Sequence, residues 1–377
     1  MTGKDASYYP AWLEIDLDAI VHNFHLLSSC LTESSKLLAV VKADAYGHGA
    51  VPVVEKLTAA GTDMLGVVLV SEGMELRRNG ITAPILVLGP ATPAQARGVV
   101  EHDLIQVVFS SQVAVALSRI AVEAGRTARV HVKVDTGMGR LGLKPDELIP
   151  FLNFLKNIDN IKVEGLLTHL AHADGSDPAY MDGQASQIRN MQAMAEQSGY
   201  AGLTVHCANS VSAAGFPHLH MDMVRAGIML YGVLPVRGVG KHLNLKPAMR
   251  WVSRVAHLQQ WGPGTSISYN RTFVTTRHSR IATVPIGYSR GYNSLLSNRG
   301  QVLIGGRKAP VAGKVCMDMS MADVTDAGNV AVGDEVVAMG RQGEQEISAL
   351  DIAEAIGTSP YEVLCLAGKC NPRMYIR

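Results

Sequence analysis

Residues 37–49 read Leu37-Leu-Ala-Val-Val-Lys42-Ala-Asp-Ala-Tyr46-Gly-His-Gly49. A short apolar, partly β-branched run stops at a lysine, and a glycine-punctuated polar turn follows. Such a run is the signature of a strand buried on both faces. The same texture recurs at 64–70, 84–88, 105–109, 130–134, 161–167, 203–207 and 221–224. Helical patterns fill most of the gaps, at 51–60, 72–79, 93–101, 112–124, 145–155 and 180–198. Strand, helix, strand, repeated about eight times, predicts an α/β fold with a parallel (β/α)8 barrel, a TIM barrel. A doubly wound open sheet is the alternative that the pattern alone leaves open.

After Gly232 the texture changes. Short strand-like runs appear at 254–258, 281–285, 301–304, 310–315 and 335–339, with one clear helix at about 348–356. This predicts a second, mainly antiparallel β domain. The segment Val233-Leu-Pro-Val-Arg-Gly-Val-Gly240 marks the boundary, giving a barrel over 1–240 and a β domain over 241–377.

Composition narrows the function classes. The 377 residues are 47% hydrophobic and 18% charged, with a formal charge of +1. A charge so near zero argues against nucleic acid as a partner. No apolar run approaches a membrane span. Met1-Thr-Gly-Lys-Asp-Ala-Ser7 shows no apolar core of a secretory signal. Five cysteines, at 30, 207, 316, 365 and 370, form no metal-like pairs. An odd count with no visible signal predicts a reducing cytoplasm.

In a barrel of this kind, chemistry gathers at the C-terminal ends of the strands. Strand one ends at Lys42, with Tyr46 just beyond. Strand five ends Lys133-Val-Asp135-Thr-Gly-Met-Gly-Arg140, strand six at Thr168-His169, and strand seven at His206-Cys-Ala-Asn209-Ser210. Strand eight runs into Arg225-Ala-Gly227-Ile228. Each has an ordinary reading: a strand-end lysine that snorkels, a satisfied histidine, a capping Asn or Ser, a surface arginine. Five on one face form a candidate site.

A lysine at a buried strand end is costly to keep charged, so its pKa falls from about 10.4. The neutral amine is a nucleophile and a base, as a Schiff base to an aldehyde cofactor requires. Asn209-Ser210 and Gly227-Ile228 follow strands seven and eight, where barrels commonly bind phosphate. Phosphate there and a Schiff-base lysine on strand one together describe pyridoxal 5'-phosphate, with Arg225 placed to face the pyridine nitrogen. Gly137-Met-Gly139-Arg-Leu-Gly142 is a literal G-x-G-x-x-G, but it sits mid-repeat and no strand-end acid follows at the required spacing. Arg140 in that turn better suits an anion such as a substrate carboxylate. His169-x-x-His172 lacks a third and fourth ligand at sensible spacing, so no metal is expected.

At these residues the chain resembles alanine racemase over nearly its full length. The matching blocks are Val41–Gly49, Lys133–Gly142, Glu164–His169, His206–Ser210 and Val224–Gly232. In the second domain they are Ser268-Tyr269-Asn-Arg-Thr-Phe273, Pro285-Ile-Gly-Tyr288, Val315-Cys316-Met317-Asp318 and Tyr361-Glu-Val-Leu364. The resemblance implies a homodimer of barrel-plus-β-domain chains that supplies D-alanine for peptidoglycan. Lys42 would hold pyridoxal phosphate as an aldimine and serve as the base on one substrate face. Tyr269, from the other subunit, would serve the opposite face, because racemisation removes a proton from one side of Cα and returns one to the other. Tyrosine ordinarily titrates near 10, so such a base needs cationic help, here from His169 and Arg225.

The resemblance also implies that Tyr46, Ser210, Gly227, Ile228 and Tyr361 hold the phosphate, supported by Asn209 and His206. Arg225 would leave the pyridine nitrogen unprotonated, because arginine does not readily give up a proton. Arg140 and Met317, the latter through its backbone, would bind substrate. Lys133 matches a lysine often carbamylated in this family, and Tyr288 and Tyr361 match residues that narrow the entrance; Tyr288 could also be core. Two departures stand out. Arg290 replaces a common aspartate in Gly287-Tyr-Ser-Arg290-Gly, and Gly368-Lys-Cys-Asn371 replaces an arginine-led run. A decarboxylase on a related barrel and a non-catalytic cofactor binder are the competing readings. Serine, larger than alanine by one hydroxyl, stays open as a second substrate.

Overall fold

The computed structural model describes residues 8–172, 176–238, 240 and 242–376. Residues 1–7, read above for a secretory signal, and residue 239 of the boundary segment lie outside these. The apolar runs form eight parallel strands: β2 (Lys36–Val40), β3 (Met64–Val67), β4 (Ile85–Val87), β5 (Ile105–Val108), β6 (Ala128–Lys133), β7 (Ile161–Leu167), β8 (Thr204–His206) and β9 (Met223–Ala226). Each neighbours the next in sequence, and β9 returns to β2 with Leu38 opposite Arg225. Between β8 and β9 the ring is closed by two backbone bonds. Asp222 N–H donates to the Val205 carbonyl and Arg225 N–H to the Ala208 carbonyl, both at 3.1 Å. The fold is the (β/α)8 barrel, and the open-sheet alternative is excluded. Leu38, Leu65, Leu86, Val107, Val130 and Val132 are all buried in it, so the ring is a packed core and not a pore.

The strand that precedes the barrel has no counterpart in the sequence reading. β1 (Ala11–Asp16) pairs antiparallel with β10 (Met249–Arg254) and parallel with the last strand, Arg373–Ile376. β1 and the last strand therefore both lie in the sheet of the second domain, and the barrel is tethered on both sides. β1 passes directly into the helix Leu17–Ser29, whose first turn is capped by Asp16 accepting from Ala19 N–H at 2.8 Å. Such a cap contributes about 1 kcal/mol.

The second domain is mainly antiparallel, and it departs from the expected elements in several places; the strand Ser320–Asp323, for one, was not expected. The run 254–258 is not one strand: β10 ends at Arg254, and His257–Trp261 joins a different sheet. The chain changes partners between them, Val255 N–H donating to the Asp334 carbonyl and Ala256 N–H to the Thr283 carbonyl. The run 310–315 is a strand only at its start, Arg307–Pro310. Beyond it, Gly313 and Val315 donate to the side chains of Asn298 and Ser297 in place of a ladder. A second helix, Pro360–Cys370, follows Ala349–Ile356. Its signal was present: Ser359-Pro360 is a helix start, and Val363, Leu364 and Ala367 are spaced for one face. No described helix is long and apolar enough to cross a membrane.

Candidate active site

Lys42 lies two residues past β2, on the C-terminal rim of the barrel. Directly after it, Ala43, Asp44, Ala45 and Tyr46 all have φ between 52° and 54°. This is a left-handed turn built without glycine, which costs about 1–2 kcal/mol per residue. Neighbours on several elements hold it. Glu72 accepts from Ala43 N–H at 2.6 Å and, through its other oxygen, from Val68 and Leu69 N–H. Asp44 accepts from Ala50 N–H at 2.6 Å and pairs with Arg373 at 2.6 Å. Arg373 also donates to the Gly47 carbonyl at 2.7 Å. His48, fully buried and lowered by that burial to about 4, bonds the Ala45 carbonyl at 3.0 Å. The result places the Lys42 amine 5.9 Å from the centre of the Tyr46 ring.

The second-domain helix Pro360–Cys370 closes on this turn backbone to backbone. A Cβ on Gly368 would fall 2.2 Å from Gly47 Cα and 2.3 Å from its carbonyl oxygen. The same helix carries Tyr361, whose ring lies 5.8 Å from that of Tyr46. Gly368→Ala should therefore push the helix off the turn, costing about 1–3 kcal/mol and weakening cofactor retention. Thermal unfolding and cofactor titration check this; an unchanged midpoint and affinity would contradict it.

These elements border a cavity of about 480 Å³. Lys42, Tyr46, Lys133, Arg140, His169, Asn209, Ser210, Arg225, Gly227, Ile228 and Tyr361 all line it. Tyr269 and Met317 do not: they sit on the second domain, 68% and 55% exposed. Tyr288 is also exposed, which rules out the core reading. Four basic side chains, Lys42, Lys133, Arg140 and Arg225, face this cavity, and among the described residues no carboxylate lines it.

At the end formed by β8 and β9, Ser210 Oγ accepts from Gly227 N–H at 2.6 Å. A Cβ on Gly227 would lie 2.7 Å from the Tyr46 hydroxyl and 3.6 Å from Ser210 Oγ. The three groups thus surround one point that only a glycine leaves open. Asn209 has a different local task. Its Oδ1 accepts from Val211 and Ser212 N–H at 3.0 and 3.3 Å, capping the short helix Ser210–Gly215.

Arg225 is buried, with no carboxylate partner among the described residues. It donates to the carbonyls of Thr168, His206 and Cys207 at 2.9–3.0 Å, to His206 Nδ1 at 2.9 Å and to His169 Nδ1 at 3.2 Å. Burial lowers it to about 10, so it remains cationic near neutral pH. A guanidinium only donates, so each Nδ1 must accept. His206 Nε2 then carries the proton and donates to His131 Nδ1 at 3.0 Å. Burial and the Arg225 charge hold His206 and His169 far below the ordinary histidine range, so both stay neutral. His131 escaped the sequence reading, although a lone histidine within Val130–Val134 was its signal. His172 bonds Ser176 at 2.5 Å.

The amines follow the same physics. Lys42 is lowered by burial and then by the Arg140 charge. Lys133 is lowered to about 7 by burial, then by Arg225 and Arg140. The G-x-G-x-x-G segment is a turn wrapped around Asp135, which accepts from Gly137, Met138 and Arg140 N–H at 2.8–3.0 Å and so fixes Arg140 at the rim. The two departures meet each other: Asn371 Nδ2 donates to the Arg290 carbonyl at 2.8 Å.

The comparisons with known proteins agree along the whole chain. Residues 15–235 match the family model for the alanine racemase N-terminal domain and 248–375 that for the C-terminal domain. An alanine racemase of Halothermothrix orenii is 45% identical over 97% of both chains. Among solved structures, alanine racemase of Clostridium difficile is 39% identical, with a TM-score of 0.92 over 98% of this chain and 96% of that one. Alanine racemase of Bacillus anthracis, solved with bound L-Ala-P, is 36% identical, with a TM-score of 0.91 over 98% and 96%. The fold, the rim of the barrel and the sequence point the same way, and the chain belongs to the alanine racemase family.

Proposed function

We propose that this protein interconverts L- and D-alanine with pyridoxal 5'-phosphate as cofactor, in a homodimer whose two sites each draw on both subunits. The cavity's charge carries the reading: Arg140 and Arg225, with two lysines beside them and no carboxylate among the described lining residues, suit a phosphate together with a substrate carboxylate. The opening among Gly227, Ser210 and Tyr46 fits the phosphate. The bound cofactor supplies a conjugated ring that acidifies the Cα–H of an amino acid joined to it.

The chain's own groups do the rest. Lys42, its pKa lowered by burial and by Arg140, holds the cofactor and moves a proton at Nζ on one face of Cα. Tyr269 of the partner subunit moves a proton at Oη on the other face, the one from which L-alanine loses its Cα proton. Arg225 presents a fixed cation toward the ring nitrogen and leaves it no proton to take. Arg140 and the Met317 N–H hold the substrate carboxylate. Among the described residues the Met317 carbonyl accepts from Ser289 N–H at 2.9 Å, while its N–H has no acceptor within the chain. The exposure of Tyr269 and Met317, away from the chain's own cavity, supports their service to a second copy. In the cell the product would be D-alanine for peptidoglycan, made in the cytoplasm.

Incubating the purified protein with cofactor and L-alanine should yield D-alanine, measured by chiral chromatography, approaching equal amounts of both. No D-alanine from a cofactor-loaded sample would refute the proposal.

Lys133 gives a separate expectation. With its amine near pH 7, a large neutral fraction exists at neutral pH, and that form can attack CO2. An N–C bond forms and one amine proton leaves to solvent, turning a neutral amine beside Arg140 and Arg225 into an anion. Because only the neutral amine reacts, occupancy should rise as pH climbs through about 7 and fall below it. Carbon-13 bicarbonate should give a carbamate resonance in the wild type that Lys133→Ala lacks. A spectrum identical in both would exclude the modification.

A further inference from the structure

We infer that Asn298 is a positioning residue of the active site: its side chain ties the loop carrying Tyr269 to the loop carrying Met317 and so sets the spacing between the phenol and the Met317 amide. This rests on the reading that both groups act on substrate in the partner subunit.

The two loops are separate in sequence and irregular in structure. Tyr269 is flanked by Ser268, Asn270 and Arg271, all non-glycine residues with φ of 66°, 60° and 52°. Backbone held in that region relaxes unless its surroundings over-determine it. Met317 follows the irregular stretch that begins at Val311, with Gly313 at φ 83°. Neither loop is fixed by a long sheet ladder; cross-links fix them to each other. Ser268 Oγ donates to the Lys314 carbonyl at 2.7 Å. The Asn298 amide supplies the second tie with both its ends. Its Oδ1 accepts from Gly313 N–H at 2.7 Å, and its Nδ2 donates to Thr272 Oγ1 at 3.1 Å. Its own N–H donates to the Gly313 carbonyl at 3.2 Å. Thr272 lies just after the Tyr269 turn, and Gly313 just before the Met317 loop.

Asn298 itself is exposed, with φ 57°. Exposed hydrogen bonds of this kind add little to global stability. Their effect is on geometry. A base must meet the Cα proton while an amide holds the carboxylate, and a misplacement of about 1 Å can cost about 100-fold in rate. The inference therefore separates activity from stability.

Asn298→Gly tests it, because glycine keeps the positive φ while removing both ties. In the cofactor-loaded dimer, kcat/KM for alanine should fall by roughly 10- to 100-fold, with the unfolding midpoint nearly unchanged. The deuterium isotope effect with Cα-deuterated L-alanine should rise, and that with Cα-deuterated D-alanine should fall toward one, because only the proton transfer at Tyr269 is slowed. In the protein without substrate, the Gly313 amide should exchange faster with solvent. Asn298→Asp should restore all three, since its carboxylate accepts from Gly313 N–H and from the Thr272 hydroxyl. Wild-type rates for Asn298→Gly, or a loss that tracks the unfolding midpoint and moves both isotope effects alike, would overturn the inference. Tyr269→Phe is the control. If it lacks the isotope asymmetry, the reading of Tyr269 fails; if it shows the asymmetry and Asn298→Gly does not, only the tie fails.

Discussion

Lys42→Ala should lose racemisation by roughly 10⁴-fold or more, because one substitution removes both the cofactor's attachment and a proton-transfer group. The amine works in its neutral form, and its surroundings favour that form. Burial lowers its pKa, and Arg140 lowers it further. Lys42→Arg should be as inactive as Lys42→Ala, since arginine stays protonated and cannot replace a neutral amine. Neither variant should unfold the protein, for the side chain is only half-buried and its neighbours Ala43 and Asp44 are pinned by Glu72 and Arg373. Borohydride treatment of the wild-type holoenzyme should fix the cofactor to the peptide containing Lys42. The cavity holds a second neutral-leaning amine, Lys133, so the experiment has a real alternative. A label on Lys133, or Lys42→Ala retaining wild-type turnover, would overturn the assignment.

Tyr269→Phe should reduce turnover by about 10²- to 10⁴-fold, the usual scale for one acid–base group. The ring remains, so substrate binding should change far less than kcat. The phenol is exposed in a single chain, so the unfolding midpoint should not move. Exchange of the Cα proton gives the sharper signature. With Lys42 intact, the variant should still exchange the Cα hydrogen of D-alanine with solvent deuterium while D-to-L conversion lags behind. Matched loss of exchange and conversion would show that Tyr269 serves the whole site and not one face.

How much of this was legible in the sequence follows from range. Eight barrel strands could be read because each is short, buried on both faces and therefore apolar throughout. The rim residues could be read because parallel strands put their C-terminal ends on one side. β1 could not, since its partners are Met249–Arg254 and Arg373–Ile376, far away in sequence. The left-handed turn at 43–46 was invisible because Ala, Asp and Tyr give no sign of positive φ; its cause lies in Glu72, Arg373 and Gly368 on other elements. Tyr269 and Met317 were found only by resemblance. They stand on irregular loops with no periodic signal, held by cross-links such as those from Asn298.

The central claim is that one active site is assembled from two copies of this chain. Mixing inactive Lys42→Ala and Tyr269→Phe proteins, with dissociation and reassembly, tests it most directly. Random pairing makes half of the dimers mixed, and each mixed dimer holds one site with both defects and one with none. Activity should return to about a quarter of the wild-type level. If each chain instead supplies its own Lys42 and Tyr269, every site in every pairing stays defective. No recovery on reassembly would then contradict the account.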